Sequence, residues 1–304
     1  MNDPHPPVVG RFAPSPTGPL HFGSLIAALG SWMSARCRGG TWRLRIDDLD
    51  RARNVRGMAD HIRRQLEQLG LDWDGPVLFQ TSRIDAYVAG LQALQDAGVT
   101  YPCSCSRREI ATGAEHGPLG PIYRGTCRER GPVAGRAAAV RLKLRPGEHA
   151  VADRLRGCWS IRHDRIGDVA VMRRNGTPAY HLVTTLDDAH LGVTEVVRGC
   201  DLECASVIQQ EIQHHLGLPA IDWAHLPLVM TADGSDKLSK QTGAPPLDPA
   251  MDPIGPLLEA WAFLGQTSPP ARPATPHEFL AWAVSSWDEQ RVADPAGEPR
   301  TSPD

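Results

Sequence analysis

Two rhythms of apolar and polar positions run through the first hundred residues: short apolar runs, and longer stretches with an apolar residue every three or four positions. The short runs predict strands at residues 8–12, 42–46 and 77–80. The longer ones predict helices at about 21–37, 56–69 and 83–97. Strand and helix in alternation is the pattern of a parallel sheet covered by helices. The rhythm breaks at Tyr101, where cysteines, glycines and arginines replace it, and an insertion is expected there. Alternation returns at 138–144 and 169–173, followed by a helix at 204–216 and a strand at 225–230. Residues 245 onward are proline-rich, with short helical patterns at 256–263 and 277–287 and a tail after Val292 expected to be disordered. The division that follows is an α/β catalytic domain in two halves, 1–100 and 191–244, with an insertion at 101–190. A small helical C-terminal region at 245–292 and the tail at 293–304 complete it. No internal repeat is visible.

Composition supports a globular chain, since 304 residues with 41% hydrophobic content can bury a substantial core. No apolar run approaches the roughly 18 residues of a membrane span, and residues 1–9 lack the basic start and apolar run of an export signal, so a cytoplasmic location is expected. Seven cysteines, an odd number that includes a Cys-x-Cys pair, point to metal binding or plain burial rather than a disulfide framework. The net charge of -3 conceals an asymmetry. Between Cys103 and Arg174 fifteen Lys and Arg face seven Asp and Glu, an excess that suits a phosphate-rich partner.

Two strings carry the chemistry. Arg11-Phe12-Ala13-Pro14-Ser15-Pro16-Thr17-Gly18-Pro19-Leu20-His21-Phe22-Gly23-Ser24 lies between a predicted strand and a predicted helix. A helix N-terminus offers unpaired N–H groups to a nucleotide phosphate, His21 would stand at that end, and Gly23 permits close backbone approach. The second string, Lys237-Leu238-Ser239-Lys240, follows more than two hundred residues later. Of the 32 basic residues 29 are arginine, yet two of the three lysines fall here. A compact ammonium retained amid so much guanidinium suggests a point-charge contact with phosphate.

His21-x-Gly23-Ser24 and Lys237-Leu238-Ser239-Lys240 resemble the two signature motifs of class I aminoacyl-tRNA synthetases, although both depart from the commonest spellings. The string from Arg11 to Gly18 resembles the glutamyl-tRNA synthetase branch. Arg45-Ile46-Asp47-Asp48-Leu49-Asp50 and the stretch from Gly192 to Leu202 extend the likeness over roughly residues 8–245. About sixty residues follow the lysine motif, too few for an anticodon-binding module, so the chain looks like a truncated paralogue of that branch. The resemblance then implies a Rossmann-like parallel sheet, ATP-dependent formation of glutamyl-adenylate, and transfer of glutamate to the queuosine base at the wobble position of tRNA(Asp). A compact glutamyl-tRNA synthetase charging the terminal ribose and a catalytically silent RNA-binding relative are the other readings. Decay of the ATP motifs, which the last would produce, is not seen.

The same resemblance implies the site. Glutamate falls to Arg11, Phe12, Ala13, Pro14, Ser15, Asp47, Tyr180 and Arg198, and ATP with its magnesium to His21, Gly23, Lys237 and Lys240, with His21 and Lys240 catalytic. Guanidinium groups suit the two carboxylates, an acid suits the ammonium and a tyrosine hydroxyl adds direction. The family usually has glutamate where this chain has Asp47. In the insertion, Cys103, Cys105 and Cys127 with one further donor can close a tetrahedral structural zinc site of one ion per chain. The family uses a tyrosine, which places Tyr123 there, while His116 is the chemically more conventional ligand. Cys37, Cys158, Cys200 and Cys204 are expected to be ordinary buried thiols. A monomer is expected, with ATP, L-glutamate and queuosine-bearing tRNA(Asp) as partners.

Overall fold

The computed structural model describes residues 7–230 and 245–292. Its first half runs β1 (Val9–Phe12), α1 (Phe22–Arg36), β2 (Thr41–Ile46), α2 (Met58–Gln68), β3 (Leu78–Phe79) and α3 (Ile84–Asp96). β1 pairs with β2 and β2 with β3, all parallel. α1 is apolar on nearly every side, and ten of its fifteen residues are buried, because the sheet lies under one face and C-terminal helices cover another. It also lies close to the sheet: a Cβ added at Gly30 would come within 2.6 Å of Leu226.

The middle of the chain supplies β4 (Thr100–Cys103), α4 (Arg107–Ala111), the small hairpin β5 (His116–Gly117) and β6 (Gly120–Pro121), α5 (Thr126–Arg130) and β7 (Ala139–Leu142). A second hairpin, β8 (Glu148–Asp153) and β9 (Gly157–Arg162), precedes β10 (Val169–Met172). β4, β7 and β10 form a separate antiparallel sheet, while β8 joins the main body beside a later strand. The chain continues through α6 (Tyr180–His190), β11 (Glu195–Gly199), α7 (Glu203–Leu216), β12 (Asp222–Leu226), α8 (Gly255–Phe263) and α9 (Pro276–Ser286).

β11 and β12 pair in parallel, β12 pairs in parallel with the end of β8, and Thr194 donates to the Val9 carbonyl at the border of β1 and β11. The strands therefore run side by side in the order β3, β2, β1, β11, β12, β8. The sheet is α/β and mostly parallel, as expected. Where the chain leaves β1 and returns at β11, the strand ends open a crevice of the kind that holds ligands in such sheets. One apolar core, including Leu25, Leu29, Trp42, Leu66, Trp261 and Phe279, joins α1, α2, α8 and α9 to one face. A second, including Leu94, Leu182, Val196, Ile208, Ile212 and Trp223, joins α3, α6 and α7 to the other.

Two expectations change. The strand expected at 225–230 lies at Asp222–Leu226, because Pro227 has no N–H to give the ladder. The four remaining cysteines are not buried thiols: Cys158 is exposed on β9, the outer strand of its hairpin, and Cys37, Cys200 and Cys204 are half-buried. Among the described residues no helix is long and apolar enough to cross a membrane.

Candidate active site

A cavity of about 520 Å³ opens at the carboxyl ends of β1, β2 and β11. Arg11, Phe12, Ala13, Pro14, Ser15, His21, Gly23, Asp47, Tyr180 and Arg198 all line it. Strand ends and helix starts bring them together: Arg11 is on β1, Asp47 follows β2, Tyr180 opens α6 and Arg198 is on β11. His21 is the N-cap of α1, its Nδ1 accepting from the Ser24 N–H at 3.3 Å, so the ring stands at the positive end of that helix. Lys237 and Lys240 lie outside the described residues. The chain that follows them is held beside His21: His21 bridges Pro246, and Leu247 N donates to the Leu20 carbonyl. Buried Gln65 of α2 ties the two segments, accepting from Leu20 N and donating to the Leu247 carbonyl.

The floor is a layered charge network. Arg45, 1% exposed, donates Nε to Asp47 Oδ1 at 2.6 Å and a terminal nitrogen to Asp188 Oδ1 at 2.6 Å, and Arg11 Nε reaches the same Asp188 oxygen at 3.3 Å. Asp187 beside it takes Gln80, Arg83 and the Tyr87 hydroxyl. Burial pushes the Asp47 carboxyl above its ordinary range, with Arg45 opposing the rise.

Arg198 differs from Arg11 and Arg45. It is buried, yet among the described residues its partners are His225, the Leu202 carbonyl, Ser206, the Tyr180 hydroxyl at 3.5 Å and the face of Trp223 at 4.9 Å, none of them a carboxylate. Burial pulls its guanidinium below the ordinary value. A buried cation at a cavity wall without an anion of its own calls for one from the ligand.

A second cluster lies in the antiparallel sheet. Cys103 at the end of β4, Cys105 after it and Cys127 on α5 bring three Sγ atoms within 4.8 Å of one another. The Tyr123 hydroxyl joins them, 3.3 Å from Cys103 Sγ and 3.5 Å from Cys105 Sγ, and accepts from Cys127 N at 2.8 Å. Burial raises the Cys127 thiol, and the hydrogen bonds around it, led by that of Tyr123, more than reverse this, to about 6. Three soft thiol donors and a phenol converging in this way could hold a metal. His116, exposed on the β5–β6 hairpin, is not part of the converging group.

Comparison with known proteins shows the family. The sequence model of the class I tRNA synthetases (E and Q), catalytic domain, matches residues 7–247. The glutamyl-Q tRNA(Asp) synthetase of Methylococcus capsulatus is 47% identical over 302 residues, 96% of each chain. That of Aromatoleum aromaticum is 45% identical over 289 residues, 94% of this chain and 91% of the relative. The chain belongs to the glutamyl-Q tRNA(Asp) synthetases. Membership in this class I family makes it a ligase-type enzyme. The fold agrees: a glutamate tRNA ligase from Elizabethkingia meningosepticum superposes with a TM-score of 0.76 at 24% identity, over 94% of this chain and 66% of the ligase. Arg45, Gln80 and Arg173 also line the cavity, although sequence reasoning assigned none of the three to the site. His225 and Asp153, which stand behind Arg198, gave no signal in the sequence. They become adjacent only when the strands pair.

Proposed function

We propose that the chain activates L-glutamate with ATP and transfers it to the queuosine base of tRNA(Asp). The observation that carries the reading is Arg198, a buried guanidinium without a carboxylate partner among the described residues, in a cavity that also presents Asp47 and the Tyr180 hydroxyl. A ligand carboxylate answers Arg198, while Asp47 suits the α-ammonium at a distance set by its shorter side chain. ATP lies along the N-terminus of α1, with His21 and the backbone N–H groups toward its phosphates, and Lys237 and Lys240 add the compensating charge. Magnesium accompanies the ATP and neutralises phosphate charge.

In the first step a glutamate carboxylate oxygen attacks the α-phosphorus, the bond to the bridging oxygen breaks and pyrophosphate leaves. No protein nucleophile takes part, so catalysis consists of positioning and charge stabilisation. In the second step a hydroxyl of queuosine attacks the activated carbonyl and AMP leaves. The basic insertion, with fifteen Lys and Arg between Cys103 and Arg174, meets the RNA backbone. Cys103, Cys105, Cys127 and Tyr123 hold one structural zinc. The enzyme acts as a cytoplasmic monomer. Glutamate-dependent ATP–pyrophosphate exchange, run with and without tRNA(Asp), tests the first step. The reading requires His21→Ala and Lys240→Ala to depress exchange strongly, and normal exchange in both would refute it.

A further inference from the structure

The partners of Arg198 come from strand register. β11 and β12 pair with Arg198 directly opposite His225, and β12 meets β8 with Trp223 opposite Asp153. Three side chains from three adjacent strands therefore line up behind the cavity. Arg198 Nε lies 3.2 Å from His225 Nε2, and His225 Nδ1 bonds Asp153 Oδ2. Ser206 Oγ accepts from Arg198 at 2.8 Å and lies 3.3 Å from His225 Nε2. Arg198, Asp153, His225 and Ser206 are all 5% exposed or less.

Donor and acceptor logic fixes the protonation pattern. A guanidinium Nε–H can only donate, so His225 Nε2 must carry a lone pair. The ring proton then sits on Nδ1 and is donated to Asp153. Asp153 is itself fixed, since its other oxygen accepts from the N–H groups of Leu155 and Arg156, each at 2.9 Å. We infer that His225 is a positioning residue for substrate binding, a neutral imidazole held in one tautomer by Asp153 so that Arg198 faces the cavity in the orientation that receives the glutamate carboxylate. This rests on the reading of Arg198 as the carboxylate's partner. The logic resembles a buried carboxylate setting the tautomer of a catalytic histidine, but here the beneficiary is a binding arginine.

The test separates tautomer from packing. In Asp153→Asn the side-chain oxygen stays on Leu155 N and Arg156 N, so the amide nitrogen must face His225 Nδ1. The ring proton is then driven to Nε2, donor against donor with Arg198. In glutamate-dependent ATP–pyrophosphate exchange on the full chain, KM for glutamate should rise about tenfold to a hundredfold while KM for ATP stays within about twofold. His225→Asn, which keeps a donor for Asp153 and withdraws the acceptor from Arg198, should do the same.

His225→Gln places an oxygen near the Nε2 position and has no tautomer to lose. It should stay within about threefold of wild type, and adding it to Asp153→Asn should restore that level. An unchanged glutamate KM in Asp153→Asn overturns the inference. So does a double variant no better than Asp153→Asn, or a glutamate KM that rises only together with the ATP KM and a lowered melting temperature. Arg198→Ala separates this inference from the reading beneath it. If that variant keeps the wild-type glutamate KM, the pocket has been misread; if it loses glutamate and Asp153→Asn does not, the positioning role alone fails.

Discussion

Replacing Arg45 by methionine removes the shared partner of Asp47 and Asp188 while roughly keeping side-chain volume. Arg45 is 1% exposed and holds each carboxylate at 2.6 Å. Asp188 would keep Arg11 at 3.3 Å, whereas Asp47 has no other side-chain partner among the described residues. Breaking a buried pair typically costs about 3–5 kcal/mol, and with one carboxylate partly rescued we expect about 3–4 kcal/mol at pH 7. That is a large share of the roughly 5–15 kcal/mol that holds a protein folded. Urea unfolding of both proteins across pH 4–7.5 measures the difference, with an unchanged m-value as control. Its sign with pH follows from Asp47. Burial already raises that carboxyl, and without the opposing Arg45 it rises further. A group with a raised folded value contributes its stability below the unfolded value, about 4, and loses it as pH rises through the folded one. The deficit of Arg45→Met should therefore be smallest near pH 4 and full at neutral pH. A loss below about 1 kcal/mol at pH 7, or one that grows in acid, would refute the reasoning.

Three further outcomes are expected. Trp261→Ala empties a site where the indole is 1% exposed, bonds the Thr267 carbonyl and packs on Phe279, Trp282 and Trp287; it should cost about 3–5 kcal/mol in urea unfolding and, because α8 packs against α1, raise KM for ATP. Burial, then Arg198, holds the His181 imidazole at about 4. Because its folded value is depressed, stability should fall by up to about 3 kcal/mol between pH 6.5 and 4, and His181→Leu should flatten that part of the melting-temperature profile. Native mass spectrometry should find one zinc per chain, lost in a Cys103→Ser/Cys127→Ser variant; full retention there would contradict the cluster as its site.

The halves of the sheet were legible because their periodicity is clean. Helix α1 and the turn before it could be placed from apolar spacing and the run to His21, and the structure brings His21, Arg11, Asp47, Tyr180 and Arg198 to one cavity. The β8–β9 hairpin was not foreseen, because arginines and a glycine interrupt its alternation. Asp187 and Asp188 drew no expectation from the sequence, yet both are buried, answered by arginines a hundred or more residues away. Such satisfaction exists only after folding. Likewise no local spacing announces that Asp153, Arg198 and His225 will meet, since strand register alone brings them together.

The central claim is tested most directly by transfer of labelled glutamate, with ATP, to tRNA(Asp) carrying queuosine, beside the same tRNA without that base and beside tRNA(Glu). The account predicts label on the queuosine tRNA alone. Label on tRNA(Glu), or equal label on tRNA(Asp) with and without queuosine, would contradict it.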